Sequence, residues 1–367
     1  MKIAICGYGV VGRGVGDLLF QNRSLIAEKT GEEMAVKTIL DKRQLDGDLH
    51  GAKVTGDFAD IVNDAEIGIV VDALPAVHPS YDFMKKALSV GKNVVTSNKA
   101  ALCFGFQELT ELAAEKKVSL RYEASCGGTI PCIAEAESLS GSNTITACYG
   151  IMNGTTNFIL DNMIRNGADF ADALKMAQQL GYAEADPTAD LSGYDVKNKI
   201  VILSNTAYHG YTVTDFPVCG IEKISSDVLS SFAKEGKTIK LLGMSVREGD
   251  RYALGVAPAV LPLSSLEASV PRNFNMFTFR CTNAGDVKLY GQGAGGNPTA
   301  DAMLRDIYRI DEKQGSGCRF DSILKYDPSL LQGKGYIGNG TQVGTLSDLF
   351  EKAKAADSFF AFEPEFI

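Results

Sequence analysis

The first twenty residues constrain the fold more than any other stretch of the chain. Residues 2–6, KIAIC, form a short apolar run that leads directly into Gly7-Tyr8-Gly9-Val10-Val11-Gly12. A helical pattern follows, with Val15, Leu18 and Leu19 at helical spacing. Strand, tight turn and helix with G-x-G-x-x-G at the junction is the arrangement that holds a dinucleotide. Gly7 permits the turn, Gly9 lets the backbone approach a pyrophosphate, and Gly12 allows the helix to pack closely on the strand. Val10 and Val11 open the helix, whose first N–H groups can meet phosphate oxygens. A glycine-rich turn that binds nothing would share the motif. Its place at the head of a strand–helix unit favours the binding reading.

The alternation continues. Strands are expected at 35–40, 67–72, 93–96 and 119–124, with helices at 81–90 and 107–116 between them. Strand and helix in turn imply an α/β fold, a Rossmann-type doubly wound parallel sheet occupying residues 1–130. The second strand ends in Asp41-Lys42-Arg43, where such folds read the adenosine ribose. An acid there suits the 2′-hydroxyl of NAD, and an arginine suits the 2′-phosphate of NADP. Both are present, so the choice stays open, with Arg43 inclining it to NADP. A charged turn without cofactor contact is the plainer alternative. Thr96-Ser97-Asn98-Lys99 closes another strand, and ligands of these sheets lie at strand carboxyl ends, which directs Lys99 toward the cleft.

The densest chemistry lies in residues 180–207, LGYAEADPTADLSGYDVKNKIVILSNTA. Gly181 ends a helix expected over 169–180, and a loop carrying Glu184, Asp186 and Asp190 follows. A second helix starts near Ser192 or Gly193 and puts Asp195 and Lys199 one turn apart on one face. It then becomes apolar through Ile200 to Leu203, as a helix running into a core does. Alone, this is also how an acid-decorated helix start with a surface Asp–Lys pair would read.

Composition narrows the partners. A net charge of -9 argues against nucleic acid or an anionic membrane surface. No apolar run is long enough to span a bilayer, and the glycine-broken N-terminus reads as a strand, not a signal peptide. Eight scattered cysteines without C-x-x-C spacing suit free thiols in a reducing cytoplasm. Three dispersed histidines suggest no metal site.

Residues 123–131, EASCGGTIP with its glycine pair, read as the crossing into a second domain over 131–289. There a strand at 144–151 feeds Asn153-Gly154-Thr155-Thr156-Asn157, a polar turn able to hold a polar substrate or simply to cap a helix. Residues 215–290, with strands near 252–256 and 277–283, are α+β material suited to a sheet that pairs across a dimer interface. The glycine-rich 289–300 and helical 301–307 read as a return to the cofactor domain, spanning about 290–312. Residues 313–367 form a tail without a usable motif.

Taken together, GYGVVG, VTSNKA, YEASCGGTIP, GIMNGTTNFIL, LGYAEADPTADLSGYDVKNKIVIL and GQGAGGNPTA resemble homoserine dehydrogenase, in order and spacing. The resemblance implies NAD(P)H-dependent reduction of L-aspartate 4-semialdehyde to L-homoserine, a reversible step of threonine and methionine biosynthesis. It implies that Asp195 and Lys199 are catalytic, with Lys99 near cofactor and substrate. It assigns substrate contacts to Glu184, Asp190, Tyr182, Gly154 and Thr155, and a cofactor contact to Gly293. It also places a monovalent-cation site, for sodium, on Glu123, Cys126, Gly128 and Ile130, built largely from backbone carbonyls. A cytoplasmic homodimer or homotetramer is expected.

Two departures stand out. Asp72 is followed by Ala-Leu-Pro-Ala, where many relatives carry threonine and glycines, and Cys126 replaces the usual valine. The tail does not resemble a regulatory ACT module, so feedback control through one is not expected. The alternatives are another dehydrogenase of amino acids or semialdehydes on the same plan, and a non-enzymatic NAD(P)-binding sensor. The intact Asp195, Lys199 and Glu184 argue against the sensor.

Overall fold

The computed structural model describes residues 1–311 and 319–367. Residue 312 of the expected return segment and 313–318 of the expected tail lie outside the described residues. The chain divides into two compact units, one of Met1–Ala134 with Ala294–Phe320, the other of Glu135–Gly293 with Asp321–Ile367. Residues from Asp321 onward, read above as part of a separate tail, are therefore part of the second unit.

The first unit holds strands β1 (Lys2–Cys6), β2 (Ala35–Leu40), β3 (Lys53–Thr55), β4 (Ile67–Asp72), β5 (Asn93–Thr96) and β6 (Leu120–Arg121). They lie in the order β3-β2-β1-β4-β5-β6, every pair parallel. This is the doubly wound α/β sheet that the alternation implied. Ile3, Ala4, Ile5 and Cys6 are all fully buried, because a parallel sheet is covered on both faces and needs an unbroken apolar run. The order reverses between β1 and β4, and that switch point opens a crevice at their carboxyl ends. The returning helix Gly296–Asp311 places Ala300, Met303 and Ile307 in one core with Val15 and Leu19 of the helix Val10–Gln21.

Two sequence expectations shift. The strand expected at 119–124 keeps only Leu120–Arg121, because the chain tightens into a 3-10 turn at Glu123–Ser125. The helix expected from residue 107 starts at Lys99 and bends at Gly105, where a Cβ would stand 2.1 Å from the Tyr81 ring.

The second unit is a mixed sheet of nine strands backed by helices, the α+β partner expected from 131 onward. It comprises β7 (Ile145–Ile151), β8 (Lys237–Glu248), β9 (Arg251–Pro262), β10 (Phe274–Cys281), β11 (Gly285–Gln292), β12 (Lys325–Tyr326), β13 (Gln332–Ile337), β14 (Gly340–Thr345) and β15 (Phe360–Pro364). The main path runs β11-β10-β7-β8-β9-β15-β13-β14, with β12 paired to β9. Gly243 of β8 admits the helix Tyr194–Tyr208, since a Cβ there would meet Val196 Cγ1 at 2.9 Å. The opposite face packs Tyr149, Ile151 and Leu242 with Leu346, Leu349 and Phe362 from the C-terminal segment. Among the described residues no helix is long and apolar enough to cross a membrane, and the seven described cysteines are free thiols.

Candidate active site

In the second unit the polar residues of two distant sequence segments converge. Asn153 caps the helix Gly154–Asn166 by accepting the Thr156 N–H at 2.8 Å. Its side-chain amide donates to Asp190 Oδ1 at 2.7 Å and to Asp195 Oδ2 at 2.8 Å. Lys199 donates to the same Asp195 oxygen at 2.7 Å and to the carbonyl of Met152, just past the end of β7, also at 2.7 Å. The side chains of Lys199 and Asp195 are only 9% and 8% exposed, so this is a buried ion pair and not the surface pair the sequence also allowed. The Asn153 amide thus joins two carboxylates, and one of them, Asp195, also takes the Lys199 ammonium. Burial raises the Asp190 pKa, and the Asp195 charge raises it further, while the bonds from Asn153 and Thr155 and the charge of Lys199 pull it back.

Asp195 enters the cluster because Gly193, at φ 85°, turns the chain from the short helix Thr188–Leu191 into Tyr194–Tyr208. Gly154 lies so close to Asn273 that a Cβ would stand 2.7 Å from its carbonyl oxygen. Thr155 Oγ1 donates to the Tyr182 carbonyl at 2.6 Å, which ties the 180–187 loop to the helix start. The Tyr182 ring packs edge-on against Phe158 with centroids 5.1 Å apart. Glu184 is exposed on that loop and is not part of the buried cluster. Gly293 packs against Asn275, whose Nδ2 would lie 1.9 Å from a Cβ added there.

In the first unit the turn after β1 has the features of a phosphate cradle. Gly7 sits at φ 87° and its N–H donates to Leu40 O at 2.9 Å. A Cβ on Gly12 would be 2.0 Å from Gly7 O, whereas one on Gly9 meets nothing within 4 Å. The space over Gly9 is open where a pyrophosphate would lie, so the residues fit a dinucleotide. The first intrahelical bond runs from Arg13 N–H to Gly9 O at 2.9 Å, which leaves the N–H groups of Val10, Val11 and Gly12 at the open end of the helix.

At the end of β2, Asp41 accepts the Tyr8 N–H at 2.9 Å and is forked by Arg43, Nε to Oδ1 at 3.0 Å and Nη2 to Oδ2 at 2.7 Å. These donors hold the Asp41 carboxyl well below the usual carboxylate range, the Arg43 fork contributing most. Lys99 is the first residue of the helix Lys99–Lys116, half-buried, and belongs to this unit.

The expected cation loop has a divided character. The Glu123 carboxylate is already engaged, accepting Ile133 and Ala134 N–H groups at 2.9 Å each and Arg309 Nη1 at 3.2 Å. Burial raises its pKa, and those donors draw it back. Its side chain is therefore spoken for, and backbone carbonyls of 123–130 are what the loop can offer an ion. Gly127 and Gly128, both at φ 56°, coil that loop tightly. Among the described residues no group of three His, Cys, Asp or Glu side chains could hold a metal.

The sequence placed Asn153 in a polar turn able to hold a substrate or cap a helix, but did not mark it as the hub. Its only signal is the polar NGTTN run that surrounds it.

With this geometry in hand, comparison with known proteins is specific. Residues 131–308 match the homoserine dehydrogenase family and 7–123 match its NAD-binding domain. The chain is 36% identical over 320 residues to homoserine dehydrogenase of Helicobacter pylori, covering 86% of this chain and 75% of that one. It is likewise 36% identical over 313 residues to the Corynebacterium glutamicum enzyme, covering 83% and 70%. The crystal structure of a homoserine dehydrogenase from Thiobacillus denitrificans superposes with a TM-score of 0.88 at 28% identity, covering 99% and 97% of the two chains.

Proposed function

The chain belongs to the homoserine dehydrogenase family, and from that premise we propose that it reduces L-aspartate 4-semialdehyde to L-homoserine with NADPH, reversibly. The observation that carries this reading is the buried Asp195–Lys199 pair held by Asn153 and the Met152 carbonyl. The bound dinucleotide supplies the hydride. As hydride reaches the aldehyde carbon, negative charge develops on its oxygen and needs a cation and a proton. Lys199, oriented by Asp195 and Met152 O, offers both from a desolvated position. Glu184 and Asp190 supply the carboxylates for the substrate ammonium, and Gly154 and Thr155 line the polar turn that receives the substrate. Lys99 serves near the cofactor, the role that the family resemblance assigns to it. NADPH oxidation followed by absorbance, with and without aspartate semialdehyde, tests the reaction. Oxidation that does not depend on the semialdehyde would refute it.

NADPH is preferred over NADH in this reading because Asp41 is neutralised by Arg43, whose own side chain remains 64% exposed to meet a 2′-phosphate. A sodium ion on the carbonyls of Glu123, Cys126, Gly128 and Ile130 would brace the loop that carries them. The protein acts in the cytoplasm, in keeping with its free thiols. It is a homodimer or homotetramer, supported by the outer strands β11 and β14, which carry Tyr290 at 51% and Val343 at 74% exposure. Light scattering that gives a monomer mass at working concentrations would overturn the assembly.

A further inference from the structure

One carboxylate at the switch point has no part in the roles above. Asp72 ends β4 between Cys6 of β1 and Thr96 of β5, and is 1% exposed. Its Oδ2 accepts the Ser80 hydroxyl at 2.5 Å and the Thr96 hydroxyl at 2.8 Å, and its Oδ1 accepts the Leu74 N–H at 3.4 Å. Its main-chain carbonyl takes the Ser97 N–H at 3.2 Å. Asn98 completes the ring from the other side, donating from Nδ2 to Leu74 O at 3.0 Å and Ala76 O at 2.8 Å. Asn98 also gives its N–H to Thr96 Oγ1 at 2.9 Å and caps the helix that begins at Lys99. The 73–76 loop is thus fastened at both flanks.

That loop is the wall facing the phosphate turn. A Cβ on Gly7 would stand 2.9 Å from Ala73 O and 3.1 Å from Leu74 Cδ2, and Ala73 donates to Cys6 O at 2.9 Å. Here the chain carries Ala-Leu-Pro-Ala, so no side-chain hydroxyl of the loop can define the wall; its position comes from the groups that anchor it. The anchor is chemically expensive. Burial opposes a charge at Asp72 and pushes its pKa up to about 6 in spite of three donors. Simple filling of the space would not call for an acceptor-only group with two hydroxyls converging on one oxygen.

We propose that Asp72 is the positioning residue of the cofactor crevice: through Ser80, Thr96 and the Leu74 amide it sets how closely the 73–76 loop stands over the Gly7–Gly12 turn. The proposal rests on the dinucleotide site assigned above. Loosening the loop should weaken dinucleotide binding and spare the chemistry in the second unit.

Three variants test this by NADPH fluorescence titration and steady-state kinetics, beside the unaltered protein. Asp72→Ala removes three bonds and should raise the NADPH Kd by about tenfold or more. Ser80→Ala removes one and should raise it about threefold to fivefold. Asp72→Asn should recover most of the loss, because the Ser80 and Thr96 hydroxyls can turn to accept from its amide while its oxygen keeps the Leu74 N–H. Turnover at saturating NADPH and the KM for aspartate semialdehyde should stay within about threefold, a split that general destabilisation would not produce. Should Asp72→Ala fail to fold, Ser80→Ala and Asp72→Asn decide. A folded Ser80→Ala with unchanged NADPH affinity, or an Asp72→Asn as impaired as Asp72→Ala, overturns the proposal, and so does a loss of turnover without loss of affinity. If the unaltered protein itself does not bind NADPH, the crevice assignment fails and this proposal with it. If a fourth variant, Gly9→Val, which fills the pyrophosphate space, abolishes binding while every Asp72 and Ser80 variant binds normally, the site stands and the proposal is overturned.

Discussion

Replacing Lys199 by methionine separates the chemical role of its ammonium from its packing. Methionine keeps an unbranched stem of similar volume, so little cavity forms. What goes is the charge that reaches Met152 O and Asp195 Oδ2, each at 2.7 Å. If that ammonium stabilises the developing alkoxide, its loss should cost about 3–4 kcal/mol in the transition state, or a hundredfold to a thousandfold in turnover. The cofactor site lies in other segments, so NADPH affinity should hold. Stability should fall as well, because Asp195, 8% exposed in its side chain, loses its cation and keeps the Asn153 amide at 2.8 Å. Stranding one partner of a buried pair costs roughly 3–5 kcal/mol. Adding Asp195→Asn removes the stranded charge and should restore most of the melting temperature without restoring turnover. The assay is single-turnover NADPH oxidation on folded protein, with thermal melts of single and double variants and Lys99→Ala as the rival donor. Turnover of Lys199→Met within tenfold of the unaltered enzyme would refute the role, and a collapse in Lys99→Ala alone would move the proton donor there.

Other outcomes follow from particular contacts. Gly9→Val should fold normally, since nothing lies within 4 Å of its Cβ and its φ of -82° suits any residue, yet lose most NADPH affinity by filling the pyrophosphate space; unchanged affinity by titration would be the contrary result. Arg43→Ala should raise the KM for NADPH well above its effect on NADH, and equal effects in parallel assays would show that Arg43 does not read the 2′-phosphate. Lys240 is 1% exposed, held by Asn157 Oδ1 at 2.9 Å and Val270 O at 2.7 Å, and burial lowers its pKa to about 8. Between about pH 8 and its ordinary value near 10.5 the folded protein therefore binds fewer protons than the unfolded chain, so this group adds stability as pH rises through that window. The stability of the unaltered protein relative to Lys240→Met, measured by denaturant melts, should rise from pH 8 to 10; a constant difference would contradict the shift.

Much of this protein is written locally. The KIAIC strand, the glycine turn and the helix behind it are adjacent in sequence, so period and glycine spacing announced both the fold and the dinucleotide site. Asp195 and Lys199 are one helical turn apart, which made their pairing legible before any tertiary contact was known. Burial was not legible: the same spacing describes a surface pair, and only the sheet behind Val196 and Ile200 makes this one dry. Strand β3 and the strands of the C-terminal segment escaped notice because short strands acquire meaning from their neighbours and not from their own period.

The sequence by itself determined the residue types that the chemistry requires and the local geometry that presents them. Only the tertiary structure decided which of those groups meet. Asn153 bridges Asp190 and Asp195 across 37 and 42 residues, and Asp72 gathers Ser80 and Thr96 at a corner that no motif marks. Glu123, expected near a cation, gives its carboxylate to Ile133, Ala134 and Arg309, the last of them 186 residues away. Local propensity acts through neighbours a few bonds apart, whereas a buried polar group must find its partners wherever folding brings them, since leaving it unpaired costs more than any local preference.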